Sequence, residues 1–318
     1  MNLDLDFQEQ IALCYLIILV FIAIFTLLGN TLVLIATWRE RGLHQPNKYF
    51  IAFLAVADLL VGVLLIPLKL YQRNLDHESL STMSLHLCRF LVWIDTFAFT
   101  ISIYTLTFIS FDRYLKISKP LQYKSRMTTS RSVKIIFLIL IISTFIATYA
   151  VTLHSGGIGH LVNGVGPCKL RTKVLNEMKG LFTFLSIGGF FLPSIIIMIM
   201  YVLIFLVAHK RKKMFLNGEL GQINNQNQRG SFRQDLKVIK MLLVVVGVFI
   251  CCWGPWAIVM LVMFYYGNVL GVGHGYYITF FVISILPLLN SMCNPIIYAC
   301  LDKTYRESFK RLFHRIVR

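Results

Sequence analysis

Long apolar stretches, separated by short polar segments, follow one another along the whole chain. A helix of about 20 residues crosses the ~30 Å hydrocarbon layer of a bilayer, and each stretch reaches that length. The stretches do not alternate polar with apolar residues, as the strands of a membrane barrel do. The pattern predicts an all-α membrane protein, a seven-transmembrane helix bundle that forms a single domain over residues 1–318, with helices at about 11–37, 49–70, 86–118, 131–153, 178–211, 235–265 and 276–300.

The segments before the first and after the seventh apolar stretch predict how the chain begins and ends at the membrane. Acidic residues precede the first apolar stretch, whereas a cleaved signal peptide begins with basic residues and has a shorter apolar core. We therefore expect a retained first helix. Beyond the seventh stretch, a polar segment carries apolar residues on one side only, namely Tyr305, Phe309 and Phe313. This spacing predicts a short amphipathic eighth helix over 303–315 that lies on the inner leaflet.

Charge is distributed unevenly between the two sides of the predicted membrane. The chain is 57% hydrophobic and 14% charged, with a net charge of +17 and a mean hydropathy of +0.71. With the amino terminus outside, the outer side holds seven of the 31 Lys and Arg residues, and the inner side holds the other 24. This positive-inside distribution predicts a multi-pass plasma-membrane protein with an extracellular amino terminus and a cytoplasmic carboxyl terminus. The inner bases suit anionic membrane lipid and argue against a nucleic-acid partner.

The seven cysteines divide by their position relative to the membrane. Cys88 and Cys168 lie on the outer, oxidising side, at the start of the third stretch and after the fourth. We expect a disulfide between them that ties the outer loop to the third helix. The other five lie within or at the ends of apolar stretches and are expected to pack as small apolar residues. No CxxC motif or His/Cys cluster has the spacing of a transition-metal site.

Several polar residues lie inside the apolar stretches, where each is costly without a partner or a task. Asn30 lies in the first stretch and Asp58 in the second, and the third and seventh contribute Ser102, Asn290, Ser291 and Asn294. Two interpretations remain open from the residues alone. The group is either a neutral hydrogen-bonded network that joins the helices, or a set of hard oxygen ligands that binds a small cation such as sodium.

A charged triplet, Asp112-Arg113-Tyr114, ends the third apolar stretch. Sixteen uncharged residues, 96–111, precede it, and a basic segment follows it. An acid and an arginine at the inner mouth of a membrane helix indicate a conformational switch.

Together these motifs resemble those of class A, rhodopsin-like G-protein-coupled receptors, and the resemblance covers essentially the whole chain. The triplet matches the DRY motif, and residues 294–298 (Asn-Pro-Ile-Ile-Tyr) match the NPxxY motif of the seventh helix. The other signature residues occur in order on the matching helices, namely Asn30, Asp58, Cys88, Pro193, Tyr201, Phe249, Cys252, Trp253, Gly254 and Pro255. Each motif is weak by itself, but the ordered set is specific.

The resemblance implies an activation switch that runs from the outer cavity to the inner face. Trp253 would sense the ligand, and Ile103, Pro193 and Phe249 would repack beneath it. Arg113 would then separate from Asp112 and from Asp235, at the inner end of the sixth helix. Exposed charge pairs are worth only ~0–1 kcal/mol, so this latch would bias the switch rather than lock it.

The same resemblance implies what stabilises the open state and what binds there. Prolines inside helices, Pro295 among them, remove backbone hydrogen bonds and create pivots. Tyr201 and Tyr298 would hold the open state, and a heterotrimeric G protein, arrestin and a receptor kinase would bind the inner face. The family's allosteric sodium pocket corresponds to Asp58, Ser102, Asn290, Ser291 and Asn294. The alternative is a static bundle in which kinks and tyrosines only pack.

The ligand class is specified less closely than the fold. Asp95 lies two helical turns inward from Cys88, and in the aminergic receptors, which this chain resembles in part, an acid at this position pairs with the ligand's ammonium. Ile285 and Leu288 stand where that group carries a tryptophan and a tyrosine. The leading expectation is a biogenic-amine-like cation; the alternative is a peptide, lipid or other small molecule, with Asp95 paired internally to Lys69. Residues expected around the ligand are Asp95, Phe99, Ser186, Trp253, Trp256, Met260 and Ser284.

Other functional classes fit the sequence less well. No lysine occurs between residues 241 and 302, so a covalent retinal Schiff base is not expected. A transporter would show inverted repeats and unwound membrane segments, and no such symmetry appears. An enzyme would need a nucleophile–histidine pair or a metal cluster at one membrane depth, and the sequence offers neither. We therefore expect neither enzymatic activity nor a covalent cofactor.

Overall fold

A computed structural model gives the fold of the chain. It describes residues 2–39, 46–74, 85–119, 122–123, 125, 127–152, 179–180, 183–216, 225–266 and 274–316. Within these ranges the regular elements are all helices, and seven of them are long and apolar enough to cross a membrane. The predicted all-α, seven-helix fold with a short additional carboxyl-terminal helix is therefore confirmed.

The helices follow one another in the predicted order. The first four membrane helices cover Asn2–Arg39, Pro46–Leu60 continued by Val61–Leu65 and Ile66–Asn74, Leu85–Ser118, and Thr129–Thr152. The other three cover Leu185–Phe191 continued by Leu192–Leu216, Asn225–Tyr266, and His274–Leu301, and the eighth, amphipathic helix covers Lys303–Ile316.

The sixth helix begins well before the position that hydropathy predicts. It starts at Asn225 rather than near residue 235, although its membrane-competent part is Leu236–Val262. Hydropathy detects only the segment that lies in hydrocarbon. The polar residues before it continue the same helix, because extending an existing helix adds one hydrogen bond per residue without a new nucleation cost.

Two wide, π-helical turns interrupt the second and fifth helices. In the second helix the N–H of Ile66 donates to the carbonyl of Val61, five residues back, and the fifth helix has a similar segment at Leu185–Phe191. A proline follows each wide turn closely, namely Pro67 and Pro193. In a regular α-helix its ring would clash with the carbonyl four residues earlier, and the wide turn includes that residue. The extra residue rotates the rest of the second helix by about 100°.

The buried side chains form two clusters. One surrounds Phe249, Tyr298 and Phe50 and extends to the eighth helix through Tyr305. The other fills the space between the outer halves of the first, second, third and seventh helices, around Leu19 and Ile101. The third helix is the most deeply buried of the seven. Large apolar side chains are exposed on the outside of the bundle, where a lipid environment suits them, for example Phe21, Phe137, Phe145 and Phe205.

The first and seventh helices approach each other closely at Gly29. A Cβ atom added at this residue would lie 2.8 Å from Cβ of Pro295. Only a glycine therefore fits against the proline of the seventh-helix motif. This contact fixes where Pro295 lies relative to the first helix.

Candidate ligand site and activation switch

The outer end of the site contains a pair of opposite charges. Nζ of Lys69, in the second helix, lies 3.3 Å from Oδ2 of Asp95, in the third. The side chains are 12% and 27% exposed, so both are largely withdrawn from solvent. Lys69 follows the wide turn Val61–Leu65, which sets the face of the helix on which it lies. The structure therefore contains the internal pair that the sequence left as an alternative for Asp95.

Aromatic rings lie directly inward of this charge pair. Phe99 follows Asp95 by one helical turn, and its ring centroid lies 4.5 Å from that of Trp253. Phe249 stacks on both rings, with centroids 6.4 Å from Phe99 and 6.2 Å from Trp253. Phe190 of the fifth helix packs against Phe249 at 6.3 Å. The third, fifth and sixth helices are thus joined by one set of rings beneath Asp95.

The remaining residues predicted around the ligand differ in their surroundings. Met260 and Ser186 are buried, and Trp256 is half-buried. The hydroxyl of Ser284 donates to the carbonyl of Phe281 at 2.9 Å, within its own helix. The indole N–H of Trp253 has no hydrogen-bond partner among the described residues, so it is one donor that a ligand could use.

The buried polar residues in the middle of the bundle form a second cluster. Nδ2 of Asn294 donates to Oδ2 of Asp58 at 2.8 Å, which joins the second and seventh helices. Nδ2 of Asn30 donates to the carbonyls of Ser291 and Thr26, both at 3.0 Å. The other members predicted from the sequence, Ser102 and Asn290, are buried as well.

Oxygen atoms remain in this cluster after its hydrogen bonds are formed. Four buried side-chain oxygens have no partner among the described residues, namely Oδ1 of Asn30, Asp58, Asn290 and Asn294. A carboxylate and several amide oxygens without donors are the ligand chemistry that a hard cation prefers. The residues present therefore fit a small cation better than a closed, neutral network, which would leave no acceptor unused.

The inner end of the site holds the charged triplet. Nε of Arg113 lies 3.6 Å from Oδ2 of Asp112, and both side chains are buried, so this pair is not the exposed one that the sequence suggested. The hydroxyl of Tyr123, in the following inner segment, donates to Oδ1 of Asp112 at 2.9 Å. Tyr123 was not predicted, because nothing in its spacing from Asp112 indicates that the segment folds back. The side chain of Asp235, the predicted second partner of Arg113, lies outside the described residues.

The two tyrosines expected to stabilise the open state are buried near this inner end. Tyr201 and Tyr298 are 8% and 1% exposed, and neither hydroxyl has a hydrogen-bond partner among the described residues. A buried hydroxyl without a partner costs free energy and favours any rearrangement that provides one. Another arrangement of the helices that gives these hydroxyls a partner would therefore be favoured.

A buried ion pair at the inner membrane surface was missed in the sequence. Nζ of Lys48 lies 2.7 Å from Oδ2 of Asp302 and 4.6 Å from the centre of the Tyr305 ring. Oδ1 of Asp302 accepts from the backbone N–H of Thr304 at 2.9 Å and so caps the eighth helix. The hydroxyls of Tyr305 and Thr37 are 2.9 Å apart, and burial raises the pKa of Tyr305. The cap could have been predicted from Asp302, but its pairing with Lys48 could not.

The predicted disulfide cannot be placed on this framework. Cys168 and the side chain of Cys88 lie outside the described residues, and the disulfide stays a prediction. Cys14, Cys251, Cys252, Cys293 and Cys300 are free thiols.

Comparison with known proteins identifies the family. The family described as 7 transmembrane receptor (rhodopsin family) matches residues 29–298. The alpha-1A adrenergic receptor of Oryzias latipes is 28% identical over 91% of this chain, which spans 64% of that receptor's length. Trace amine-associated receptor 5 of Mus musculus is 29% identical over 91% of the chain and 82% of its own length. A QRFP-like peptide receptor of Branchiostoma floridae is 27% identical over 92% of the chain and 76% of its own.

These matches agree with the order of motifs and with the seven helices. The relatives are receptors, which confirms the prediction that the chain is not an enzyme. Seven membrane helices in this family indicate a multi-pass protein of the plasma membrane. The chain belongs to the rhodopsin family of seven-transmembrane receptors.

Proposed function

We propose that this receptor binds an extracellular ligand between Asp95 and Trp253 and activates a heterotrimeric G protein by nucleotide exchange. The observation that carries the proposal is the set of ring contacts from Phe99 through Trp253 to Phe249. It lies between the charged outer site and the buried Asp112–Arg113 pair. The proposed orientation has the amino terminus outside and the carboxyl terminus inside, in keeping with the distribution of Lys and Arg.

The chain's own residues suggest how a signal would cross the membrane. A ligand that presses on Trp253 displaces Phe249, because the rings are in contact. Pro255 lies inside the sixth helix and lacks an N–H, so this helix bends more easily there than elsewhere. Displacement of the inner half of the helix opens the space next to Arg113. Tyr201 and Tyr298 then gain partners for hydroxyls that lack them in this state.

A sodium ion at the central cluster is part of the proposal. Asp58, Asn290 and Asn294 would hold it through the oxygens that lack partners, together with Ser102 and Ser291. The ion would supply positive charge to a buried carboxylate and link the second, third and seventh helices. It would therefore favour the closed arrangement over one in which these helices separate.

The proposed ligand carries a positive charge, as a biogenic amine does. Asp95 supplies a carboxylate, and the faces of Phe99 and Trp253 suit a cation. The names of two relatives, an adrenergic and a trace amine-associated receptor, support the same class. The alternative is a peptide, lipid or other small molecule that leaves Asp95 paired to Lys69. The 3.3 Å ion pair and the peptide-receptor relative favour that alternative.

Partners on the inner side follow from the resemblance to the family. A heterotrimeric G protein is proposed as the output, with arrestin and a receptor kinase as regulators. The eighth helix supports contact with membrane lipid, because its apolar Phe313 is 65% exposed and bases such as Lys310 and Arg311 are exposed as well.

The test measures uptake of a GTP analogue by G-protein heterotrimers of each class, with purified receptor in lipid nanodiscs and a panel of biogenic amines. We expect at least one amine to accelerate exchange in the wild type and not in Asp95→Ala. Glu9→Ala, which removes an exposed outer acid, is the matched control and should respond like the wild type. An amine response that survives Asp95→Ala at unchanged potency rejects Asp95 as the anchor. Asp112→Asn removes the charge that holds Arg113 and should stimulate exchange without ligand. Exchange that is absent with every heterotrimer, in the wild type and in this variant, rejects the receptor function.

A further inference from the structure

We propose that the ligand is a small zwitterion with an ammonium and a carboxylate, of the amino-acid class, and that Lys69 binds the carboxylate while Asp95 binds the ammonium. This rests on the proposed function, which places the ligand between Asp95 and Trp253. It replaces the simple biogenic amine of that proposal by a ligand that also carries a negative group, and it gives Lys69 a role in recognition.

The starting point is the distance between the two charges. Nζ of Lys69 and Oδ2 of Asp95 are 3.3 Å apart, on neighbouring helices. Among the described residues, neither Lys69 nor Asp95 takes part in any other ion pair. An ammonium that comes within hydrogen-bond distance of Asp95 therefore meets Lys69 at the same carboxylate.

A simple amine is a poor occupant of this arrangement. It would place a second positive charge beside Lys69, and like charges repel strongly where water is scarce. If Lys69 withdrew, its ammonium, whose side chain is 12% exposed, would lose its carboxylate and remain largely desolvated. Either outcome lowers the affinity for a ligand whose only charged group is an ammonium.

A zwitterion avoids both costs. Its ammonium takes the place of Lys69 at Asp95, and its carboxylate takes the place of Asp95 at Lys69. Each buried charge keeps an opposite partner, and the net charge of the site does not change. The Lys69–Asp95 pair thus favours a ligand that carries both charges and disfavours a ligand that carries only an ammonium or only a carboxylate.

The rings beneath the pair indicate the rest of the ligand. Phe99 and Trp253, with ring centroids 4.5 Å apart, lie inward of Asp95. An apolar or aromatic side chain on the zwitterion would point toward them and reach the residue that begins the proposed switch. Aromatic amino acids are therefore the first probes to use.

The experiment compares compounds that differ by one charged group. Phenylalanine, phenethylamine and 3-phenylpropionate form one set, and the other common amino acids are compared with their decarboxylated amines. Binding is measured as a shift in the melting temperature of the full-length receptor in nanodiscs, and response as GTP-analogue uptake. In the wild type we expect at least one amino acid to be at least about tenfold more potent than its amine.

Substitutions of Lys69 assign this difference to the proposed contact. Lys69→Met should lower the potency of the amino acid and bring it level with its amine. Lys69→Arg keeps the charge and should keep the preference. Lys179→Met, which removes another lysine from the outer side, is the matched control and should behave like the wild type. If Lys69→Met does not reach the membrane, the wild-type ratio and Lys69→Arg still decide the question.

The failure of this inference differs from the failure of the proposed function. In one outcome, Asp112→Asn stimulates exchange without ligand, but no amino acid binds or causes a response. This outcome overturns the proposal of a zwitterionic ligand and leaves the receptor function standing. Amines as potent as the corresponding amino acids, or a potency ratio that Lys69→Met does not change, overturn it as well. Absence of exchange under every condition rejects the receptor function itself, whereas melting-temperature shifts still report on the ligand.

Discussion

The ammonium of Lys48 lies 2.7 Å from the carboxylate of Asp302 and joins the inner end of the second helix to the start of the eighth. The same ammonium lies over the ring of Tyr305, which stacks on Tyr298 of the NPxxY motif at a centroid distance of 5.6 Å. The pair therefore does more than attach an amphipathic helix. It holds the packing partner of a proposed switch tyrosine in place.

Removal of the positive charge from this pair should destabilise the receptor. The two side chains are 9% and 8% exposed, and loss of one partner from a buried pair costs about 3–5 kcal/mol, because the remaining charge is left without compensation. We expect Lys48→Met to lower the melting temperature in nanodiscs. Lys303→Met is the matched control, because its pair with Glu307 is 3.6 Å long with side chains 80% and 52% exposed, and such pairs contribute little. Equal effects of the two substitutions would contradict the structural role of Lys48.

Loss of the Tyr123 hydroxyl should raise ligand-free activity. This hydroxyl donates to Asp112 at 2.9 Å, and a hydrogen bond to a charged group contributes about 1.5–3 kcal/mol. Without it the buried Asp112–Arg113 arrangement is less stable relative to the open one. We expect Tyr123→Phe to increase basal GTP-analogue uptake roughly tenfold or more. Ser125→Ala removes an exposed hydroxyl of the same inner segment and should leave basal uptake unchanged. A basal rate equal in all three proteins would exclude Tyr123 from the latch.

Sodium should stabilise the wild type through Asp58. The test replaces potassium chloride by sodium chloride at constant ionic strength and follows the melting temperature of ligand-free receptor. We expect a sodium-specific increase in the wild type and none in Asp58→Asn, which keeps the shape of the side chain but removes its charge. Glu9→Gln, which neutralises an exposed acid outside the central cluster and outside the proposed switch, should retain the increase. A sodium effect that persists in Asp58→Asn would place the ion elsewhere.

A methyl group at Gly29 should force the first and seventh helices apart. The added Cβ would lie 2.8 Å from Cβ of Pro295, well inside the normal contact distance, and such overpacking typically costs about 1–3 kcal/mol. We expect Gly29→Ala to lower the melting temperature and to alter the ligand response. Gly247→Ala is the matched control, because no atom lies within 4 Å of the added group and alanine favours a helix. A Gly29→Ala receptor as stable as Gly247→Ala would mean that the contact is loose.

The membrane helices could be predicted from the sequence because the hydrocarbon layer requires a long, almost uninterrupted run of apolar residues. A spanning segment must be apolar for about 20 residues, and every polar residue inside it stands out. For this reason Asp58, Asn294 and the triplet at Asp112 could be selected before the fold was known. The beginning of the sixth helix at Asn225 could not be predicted, since its first turns are polar and do not show an apolar run.

Pairings between distant residues were harder to predict, because they depend on how each helix is rotated. Lys69 was one of two alternatives for Asp95, and the wide turn that orients it has no signal in hydropathy. Lys48 and Asp302 are 254 positions apart and meet only when the second and eighth helices pack together. Tyr123 reaches Asp112 through a change of chain direction after the third helix, which no motif specifies.

The wide turn at Val61–Leu65 also bears on how a receptor of this kind changes its ligand during evolution. It contains one residue more than an α-helical turn. Loss of a single residue there would rotate the outer part of the second helix by about 100° and carry Lys69 away from Asp95. No residue that faces the ligand would have to be replaced. Insertion and deletion within one helical turn are therefore a route, separate from point substitution, by which related receptors could gain or lose a charge beside the acid at position 95.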